Sequence, residues 1–164
     1  MTESSTTERA PAPDPALTEL DVLVGDWRFE GETRDGPAGP AGRVRGTTSY
    51  EWHEGGFCLV QHADTVFGTA SAGWDNDALG DRNVTIQLWW YDDGTRTYRT
   101  QFFSNNGGPS GYEGRVVDGN LVFEGPARYT ILPSGHGTIV FDWDLPDGAG
   151  GWVPWMSYTM ERID

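Results

Sequence analysis

The sequence has 164 residues, a length that suits one domain with its own hydrophobic core. Its 11 Lys and Arg against 25 Asp and Glu give a formal net charge of −14, which repels both nucleic-acid phosphates and anionic lipid surfaces. We therefore predict neither a nucleic-acid partner nor a membrane partner for this acidic chain. Only 37% of the residues are hydrophobic, yet eight are Trp, so a few large rings must provide much of the buried surface.

The start of the chain differs in composition from the rest. Residues 1–15 are rich in Ser, Thr, Pro and Ala, which predicts a disordered leader, and residues 16–164 are predicted to form the folded domain. The leader lacks the pattern of a secretion signal, and no stretch approaches the roughly 18 apolar residues of a membrane span, so we expect a cytoplasmic protein. Leu17, Leu20 and Val24 recur at helical spacing, which predicts a short helix capping one end of the fold.

Short alternating runs follow Gly25. Ile139, Phe141 and Trp143 alternate with polar residues, as in a half-buried strand, and turns that contain glycine separate such runs. The runs lie near residues 26–34, 43–53, 57–66, 68–73, 84–91, 96–104, 110–117, 120–125, 127–132, 137–144 and 152–162. Because closure removes exposed sheet edges, we predict an all-β fold, a single closed antiparallel up-and-down β-barrel of about 8–10 strands.

Two residues at opposite ends of the domain carry a resemblance to a known superfamily. Gly25-Asp26-Trp27 opens the first strand, and Arg162 lies in the last one. This pair resembles the calycin superfamily of lipocalins and fatty-acid-binding proteins, in which the Trp of a Gly-x-Trp motif closes one end of the barrel and an Arg packs across its ring. The resemblance implies that Trp27 and Arg162 close this barrel through a favourable contact between a guanidinium and an indole.

Three further segments narrow the resemblance to an uncharacterised bacterial lipocalin-like family. These segments are residues 50–60, 91–98 and 152–158. Where His is expected in relatives, this chain carries Gln61 and Gln101, with His62 displaced by one position. The nitrobindin branch of the superfamily holds haem through a His near its C-terminus, and residues 155–164 contain none. Haem binding of that type is therefore disfavoured, and we predict no cofactor.

The period of two along a strand identifies candidate residues of a binding cavity. The face of the last strand that carries Arg162 also carries Met160, Tyr158, Met156 and Pro154. On an earlier strand the same argument places Leu88 and Trp90 inward. The predicted ligand-binding residues are Tyr50, His62, Trp90, Tyr129, Phe141, Trp143, Met156 and Tyr158.

These residues support three hypotheses for the function. In the first, the barrel binds a small, largely hydrophobic or aromatic molecule, which apolar rings desolvate and Tyr hydroxyls orient. In the second, the barrel is the template of an enzyme, a cyclase or isomerase of a natural-product intermediate, with His62 and Tyr158 as candidate catalytic residues. In the third, the chain is a structural or interaction module, which predicts a filled barrel and an exposed apolar patch.

Other chemistry lacks a sequence signal. His53, His62 and His136 are too scattered for a metal signature, so no metal site is predicted. No nucleophile motif or nucleotide-binding loop is present, because the glycines follow hairpins rather than opening helices. The sequence does not identify the ligand or the oligomeric state, and it is compatible with a homodimer.

Overall fold

In the computed structural model, the chain is described over residues 10–69, 81–105 and 107–163, so residues 1–9 of the predicted leader lie outside the described part. A 3-10 helix spans Pro15–Leu23. The ten strands of the described residues are β1 Gly25–Thr33, β2 Gly42–Trp52, β3 Leu59–Thr69, β4 Asp81–Asp92, β5 Thr97–Ser104, β6 Gly107–Val117, β7 Asn120–Glu124, β8 Arg128–Ser134, β9 Thr138–Pro146 and β10 Trp152–Arg162.

The sheet closes on itself. Each strand pairs antiparallel with the strands before and after it in the chain, and β1 pairs antiparallel with β10. The prediction of a single closed, up-and-down, antiparallel barrel is therefore confirmed. The structure corrects one detail, because the predicted runs at 57–66 and 68–73 are one continuous strand, β3, that passes through Gly68 without a turn. Residues 70–73 of the second run lie outside the described residues.

The N-terminal helix packs on the barrel end where β1 begins. Asp14 caps it by accepting a hydrogen bond from the Ala16 N–H, and Pro15 stands at the first position, where its missing N–H is not needed. Its buried side chains are those of Leu17, Leu20 and Leu23. The buried set ends at Leu23 rather than at the expected Val24, because a 3-10 helix repeats every three residues, and Val24 is the partly buried C-cap. No helix in the described part of the chain has the length and apolar character needed to cross a membrane.

Trp27 and Arg162 are in contact where β1 meets β10. The two residues are paired in register, and the guanidinium carbon of Arg162 lies 4.3 Å from the centre of the Trp27 ring. Trp27 Nε1 donates to the Leu23 carbonyl at 2.7 Å, and Arg162 Nη1 donates to the Val24 carbonyl at 2.8 Å. Gly25 has a φ of +130°, and a Cβ there would overlap Nη1 of Arg162. The Gly-Asp-Trp motif thus needs glycine for two reasons: the positive φ at residue 25 disfavours other residues, and a side chain there would occupy the space of the Arg162 guanidinium.

Glycines also make room for rings inside the barrel. Gly46 is the cross-strand partner of Phe29, and a Cβ on Gly46 would lie 2.6 Å from Cζ of that ring. Gly114 pairs with Phe123 in the same way, and a Cβ there would overlap the ring. A ring that lies over a strand glycine covers its exposed backbone and lets the strand bend. These pairs help a ten-stranded barrel to curve while it holds large aromatic side chains.

Candidate ligand-binding cavity

A cavity of about 210 Å³ lies in the half of the barrel away from the N-terminal helix. Its aromatic lining residues include Phe67, Phe102, Tyr112, Trp143, Trp155 and Tyr158. Its polar lining residues include Thr48, Gln61, Thr65, Asn83, Thr85 and Gln87. None of the described lining side chains carries a charge at neutral pH. A buried ion would therefore lack a charged partner there, whereas an uncharged molecule would not need one.

Packed rings support one side of the cavity. Tyr129 lies at their centre, with ring centroids 4.5 Å from Trp143 and 5.0 Å from Phe123. Tyr158 stacks on Phe141 at 5.3 Å and contacts Phe29 at 4.7 Å. Contacts of this kind hold the rings in fixed orientations. The lining residues Trp143 and Tyr158 are therefore held in place by neighbours that lie behind them.

Polar side chains of β2, β3 and β4 form two groups of hydrogen bonds, the second of which reaches Tyr129 on β8. Gln61 Nε2 donates to Thr48 Oγ1 at 3.1 Å, and Thr48 Oγ1 in turn donates to the His62 carbonyl at 3.0 Å. Gln87 Nε2 lies 3.2 Å from the Tyr129 hydroxyl and donates to it. Gln61 Oε1 is buried and has no hydrogen-bond partner in the protein. The group around Gln61 and Thr48 therefore leaves one buried acceptor unused, which is costly in a folded protein.

The hydroxyls of the interior tyrosines hold their protons at neutral pH. Burial raises the pKa of both Tyr129 and Tyr158 above the ordinary value, because the phenolate would lose its hydration. Burial likewise raises the pKa of Tyr50 and of Tyr112. Of these four groups, Tyr112 and Tyr158 line the cavity and can orient a neutral ligand as hydrogen-bond donors or acceptors, but they do not take up a proton from it near pH 7.

The structure places six of the eight predicted ligand-binding residues inside the barrel. Trp143, Met156 and Tyr158 line the cavity directly. Tyr50, Tyr129 and Phe141 are buried in the packed core, and Tyr129 contacts the lining residue Trp143.

The remaining two residues lie on the outer face. Trp90 is 36% exposed, whereas its neighbour Trp89 is 1% exposed and packs inside against Phe123. Leu88 therefore also faces outward, and the inward prediction for Leu88 and Trp90 is wrong. The continuous apolar run around Trp89 gives no alternation from which to read the phase of β4. His62 is exposed because the inward residue at that point of β3 is Gln61, so His62 is not placed to shuttle protons into the cavity.

A bulge in β10 changes the lining at the far end of the strand. The register with β9 shifts between Pro154 and Met156, and Pro154 is exposed rather than inward. The extra residue, Trp155, lines the cavity together with Met156. Two adjacent residues can point to the same side only where a bulge interrupts the pleat. The inward position predicted for Pro154 is wrong and Trp155 was missed, although a Pro within a strand of a barrel without edges is itself typical of a bulge.

Sequence reasoning also missed the polar lining. Gln61 and Gln87 are 9% and 8% exposed, and a rule that places apolar residues inside assigns such side chains to the solvent. The available signal was the position of Gln61 where the sequence resemblance leads one to expect His. Metal binding has no support within the described ranges, because no three His, Cys, Asp or Glu side chains come together to hold an ion.

The fold and the cavity define the class of this protein, a closed ten-stranded antiparallel β-barrel with an internal cavity. No protein-family model matches the chain, and no curated protein matches its sequence. Among solved structures, it is similar to an S-type phycobiliprotein lyase from Guillardia theta, with a TM-score of 0.60 and 11% identity over 91% of this chain and 93% of that one.

Two further solved structures are similar over most of their length. A de novo designed fluorescence-activating β-barrel has a TM-score of 0.48 and 14% identity, over 88% of this chain and 96% of that one. The protein Rv2717c from M. tuberculosis has a TM-score of 0.43 and 12% identity, over 93% of this chain and 99% of that one. At these identities the likeness concerns the fold.

Proposed function

We propose that this protein binds a small, uncharged, largely apolar or aromatic molecule inside its barrel. The observation that carries the proposal is the cavity of about 210 Å³, whose described lining combines aromatic rings with uncharged polar groups. Ligand sites in proteins have this composition, an apolar wall with a few polar groups that fix orientation. In the cavity, Trp143 and Met156 would desolvate the ligand, and the Tyr158 hydroxyl would orient it.

The cavity favours this function over the two other hypotheses. A structural module predicts a barrel filled by side chains, whereas this interior keeps open space. The templated enzyme would rely on His62 or Tyr158, yet His62 lies on the outer face and the pKa of Tyr158 is raised by burial. The geometry therefore supports retention of a neutral molecule better than proton transfer to it.

Our proposal includes kinship with the calycin superfamily and, within it, with the bacterial lipocalin-like family that the three sequence segments resemble. Its support is the contact between Trp27 and Arg162, which joins the first and last strands as the Gly-x-Trp resemblance implies. The similar fold of the phycobiliprotein lyase, an enzyme by its name, is consistent with a barrel that accommodates small molecules.

Filling the cavity tests the proposed function. Ala63 lines the cavity, and Ala63→Phe would place a ring in the space that the ligand needs. Native mass spectrometry should show a carried small molecule on the wild-type protein and not on the variant. Calorimetry with naphthalene, an uncharged bicyclic probe, should show an affinity that is at least about tenfold weaker for the variant.

A matched control lies one residue earlier. His62→Phe introduces the same ring on the same strand, but on the outer face, so it should leave naphthalene binding unchanged. Circular dichroism should verify that both variants keep the barrel. Equal affinity of wild type and Ala63→Phe for naphthalene, or no binding to the wild type, would contradict the proposal.

A further inference from the structure

Two buried carboxamides stand side by side in the cavity wall. Gln61 on β3 and Gln87 on β4 are paired in register, and both line the cavity. They are also nine-tenths buried, which is unusual for glutamine. Gln87 has a protein partner in the Tyr129 hydroxyl, whereas one end of Gln61 has none.

The hydrogen bonds of Thr48 fix which end of Gln61 is free. The Thr48 hydroxyl has one proton, and it donates that proton to the His62 carbonyl at 3.0 Å. Thr48 can therefore only accept from Gln61, which places the Gln61 Nε2 at 3.1 Å from it. The carbonyl oxygen Oε1 is then the end without a partner, so the unused group is an acceptor.

A ligand that fills the cavity can supply the missing donor. Leaving a buried acceptor unpaired costs free energy, and a donor on the ligand would remove that cost on binding. Charged donors are disfavoured because no described lining residue offers a counter-charge. Size narrows the class further, since a cavity of about 150 Å³ holds benzene. The cavity here, about 210 Å³, suits two fused rings.

Resting on the proposed function, we propose that the ligand is an uncharged aromatic molecule of about two fused rings whose N–H or O–H group donates a hydrogen bond to Gln61 Oε1. The aromatic lining holds the rings, and Gln61 selects among molecules of the same shape by their hydrogen-bonding group. Gln61 is thus a specificity-determining residue of the cavity.

A pair of isosteric probes tests this assignment. Indole and benzofuran have nearly the same shape, but indole presents an N–H donor where benzofuran presents an oxygen acceptor. Calorimetry should show that the wild-type protein binds indole about tenfold more tightly than benzofuran, as expected for one buried hydrogen bond. In Gln61→Leu, which removes the acceptor and keeps the bulk, the two affinities should become equal within about twofold.

The matched control is Gln101→Leu, the same exchange on β5. Gln101 alternates with the inward residues Thr100 and Phe102 and so lies on the outer face, and this variant should keep the wild-type preference for indole. Equal binding of the two probes to the wild type would overturn the inference while the proposed function stands. A preference for indole that survives in Gln61→Leu would overturn the assignment to Gln61.

The wild-type comparison needs no variant, so it decides the matter even if Gln61→Leu fails to fold. Binding of neither probe to the wild type would overturn both this inference and the proposed function for aromatic ligands.

Discussion

Two walls of the barrel bury opposite kinds of side chain. The wall formed by β7, β8 and β9, here called the aromatic wall, turns Phe123, Tyr129 and Phe141 inward, each at most 2% exposed. The wall formed by residues 61–65 of β3 and 83–87 of β4, here called the polar wall, turns mostly polar side chains inward. Its inner side chains are Gln61, Ala63, Thr65, Asn83, Thr85 and Gln87. On its outer face, Val84 and Ile86 are 39% and 37% exposed.

The difference between the two walls separates side chains that stabilise the fold from side chains that, under the proposed function, recognise a ligand. Burying a large apolar side chain contributes about 1.5–3 kcal/mol to folding, whereas burying a polar group contributes only where it finds a partner. The aromatic wall therefore accounts for much of the stability of the barrel. The polar wall gives up such stabilisation and leaves Gln61 Oε1 unpaired, which is the compromise expected of a binding surface.

The largest expected effect comes from opening a void in the aromatic wall. Phe123 is fully buried, stacks on Tyr129 at 5.0 Å and contacts Trp89 edge to face at 5.1 Å. Phe123→Ala should lower the free energy of unfolding by about 3–5 kcal/mol, as measured by urea denaturation. Phe103→Ala is the control, because Phe103 is 43% exposed on the outer face of β5, and it should cost about 1 kcal/mol or less. Similar losses for the two variants would contradict the distinction.

Much of the barrel could be predicted from the sequence because several of its signals are local. Glycine turns mark the hairpins, and the alternation around Phe141 and Asp142 gives the correct face of β9. The pairing of the Gly-x-Trp motif with a late arginine indicates closure of first strand on last. These features depend on neighbouring residues or on one motif, so no knowledge of the cavity was needed.

The cavity was harder to predict because its wall inverts the usual pattern. A rule that turns apolar residues inward selects Ile86, Leu88 and Trp90 on β4. If the alternation is shifted by one residue, all three face outward and the residues next to them face inward. The inward residues, Gln87 and Trp89, become evident only when pairing with β3 and β5 is known. The bulge that brings Trp155 into the cavity likewise depends on tertiary packing.

Alkaline pH should destabilise the protein through its buried tyrosines. Burial raises the pKa of Tyr50, Tyr129 and Tyr158 above the ordinary value near 10, so the folded chain keeps protons that the unfolded chain loses. Below pH 10 both states are protonated and stability is unaffected. Above it, the free energy of unfolding should fall by up to about 1.4 kcal/mol per pH unit for each tyrosine.

Urea denaturation from pH 8 to pH 11 measures this loss. Tyr158→Phe keeps the ring and removes one ionisable hydroxyl. Above pH 10, the free energy of unfolding of this variant should therefore fall less steeply than that of the wild type, by up to about 1.4 kcal/mol per pH unit. A stability that stays constant up to pH 11 would show that the hydroxyls are hydrated in the folded state.

The smallest expected effect is that of removing the unpaired acceptor from the polar wall. Gln61→Leu deletes a buried oxygen that no protein group satisfies and replaces it with apolar bulk. The free energy of unfolding should therefore rise, or fall by less than about 1 kcal/mol, in contrast with the loss expected for Phe123→Ala. Thr48 keeps its hydrogen bond to the His62 carbonyl in this variant, so no donor is left unpaired.

The reverse substitution on the same strand, Leu59→Gln, distinguishes a structural core position from a ligand-binding position. Leu59 is fully buried and lies two residues before Gln61 on the same inner face, but near the closed end of the barrel. Leu59→Gln buries a carboxamide among apolar side chains and should cost at least about 2 kcal/mol in urea denaturation. If Gln61→Leu were as destabilising as Leu59→Gln, Gln61 would be part of the structural core. The polar side chains of this wall would then stabilise the fold rather than bind a ligand.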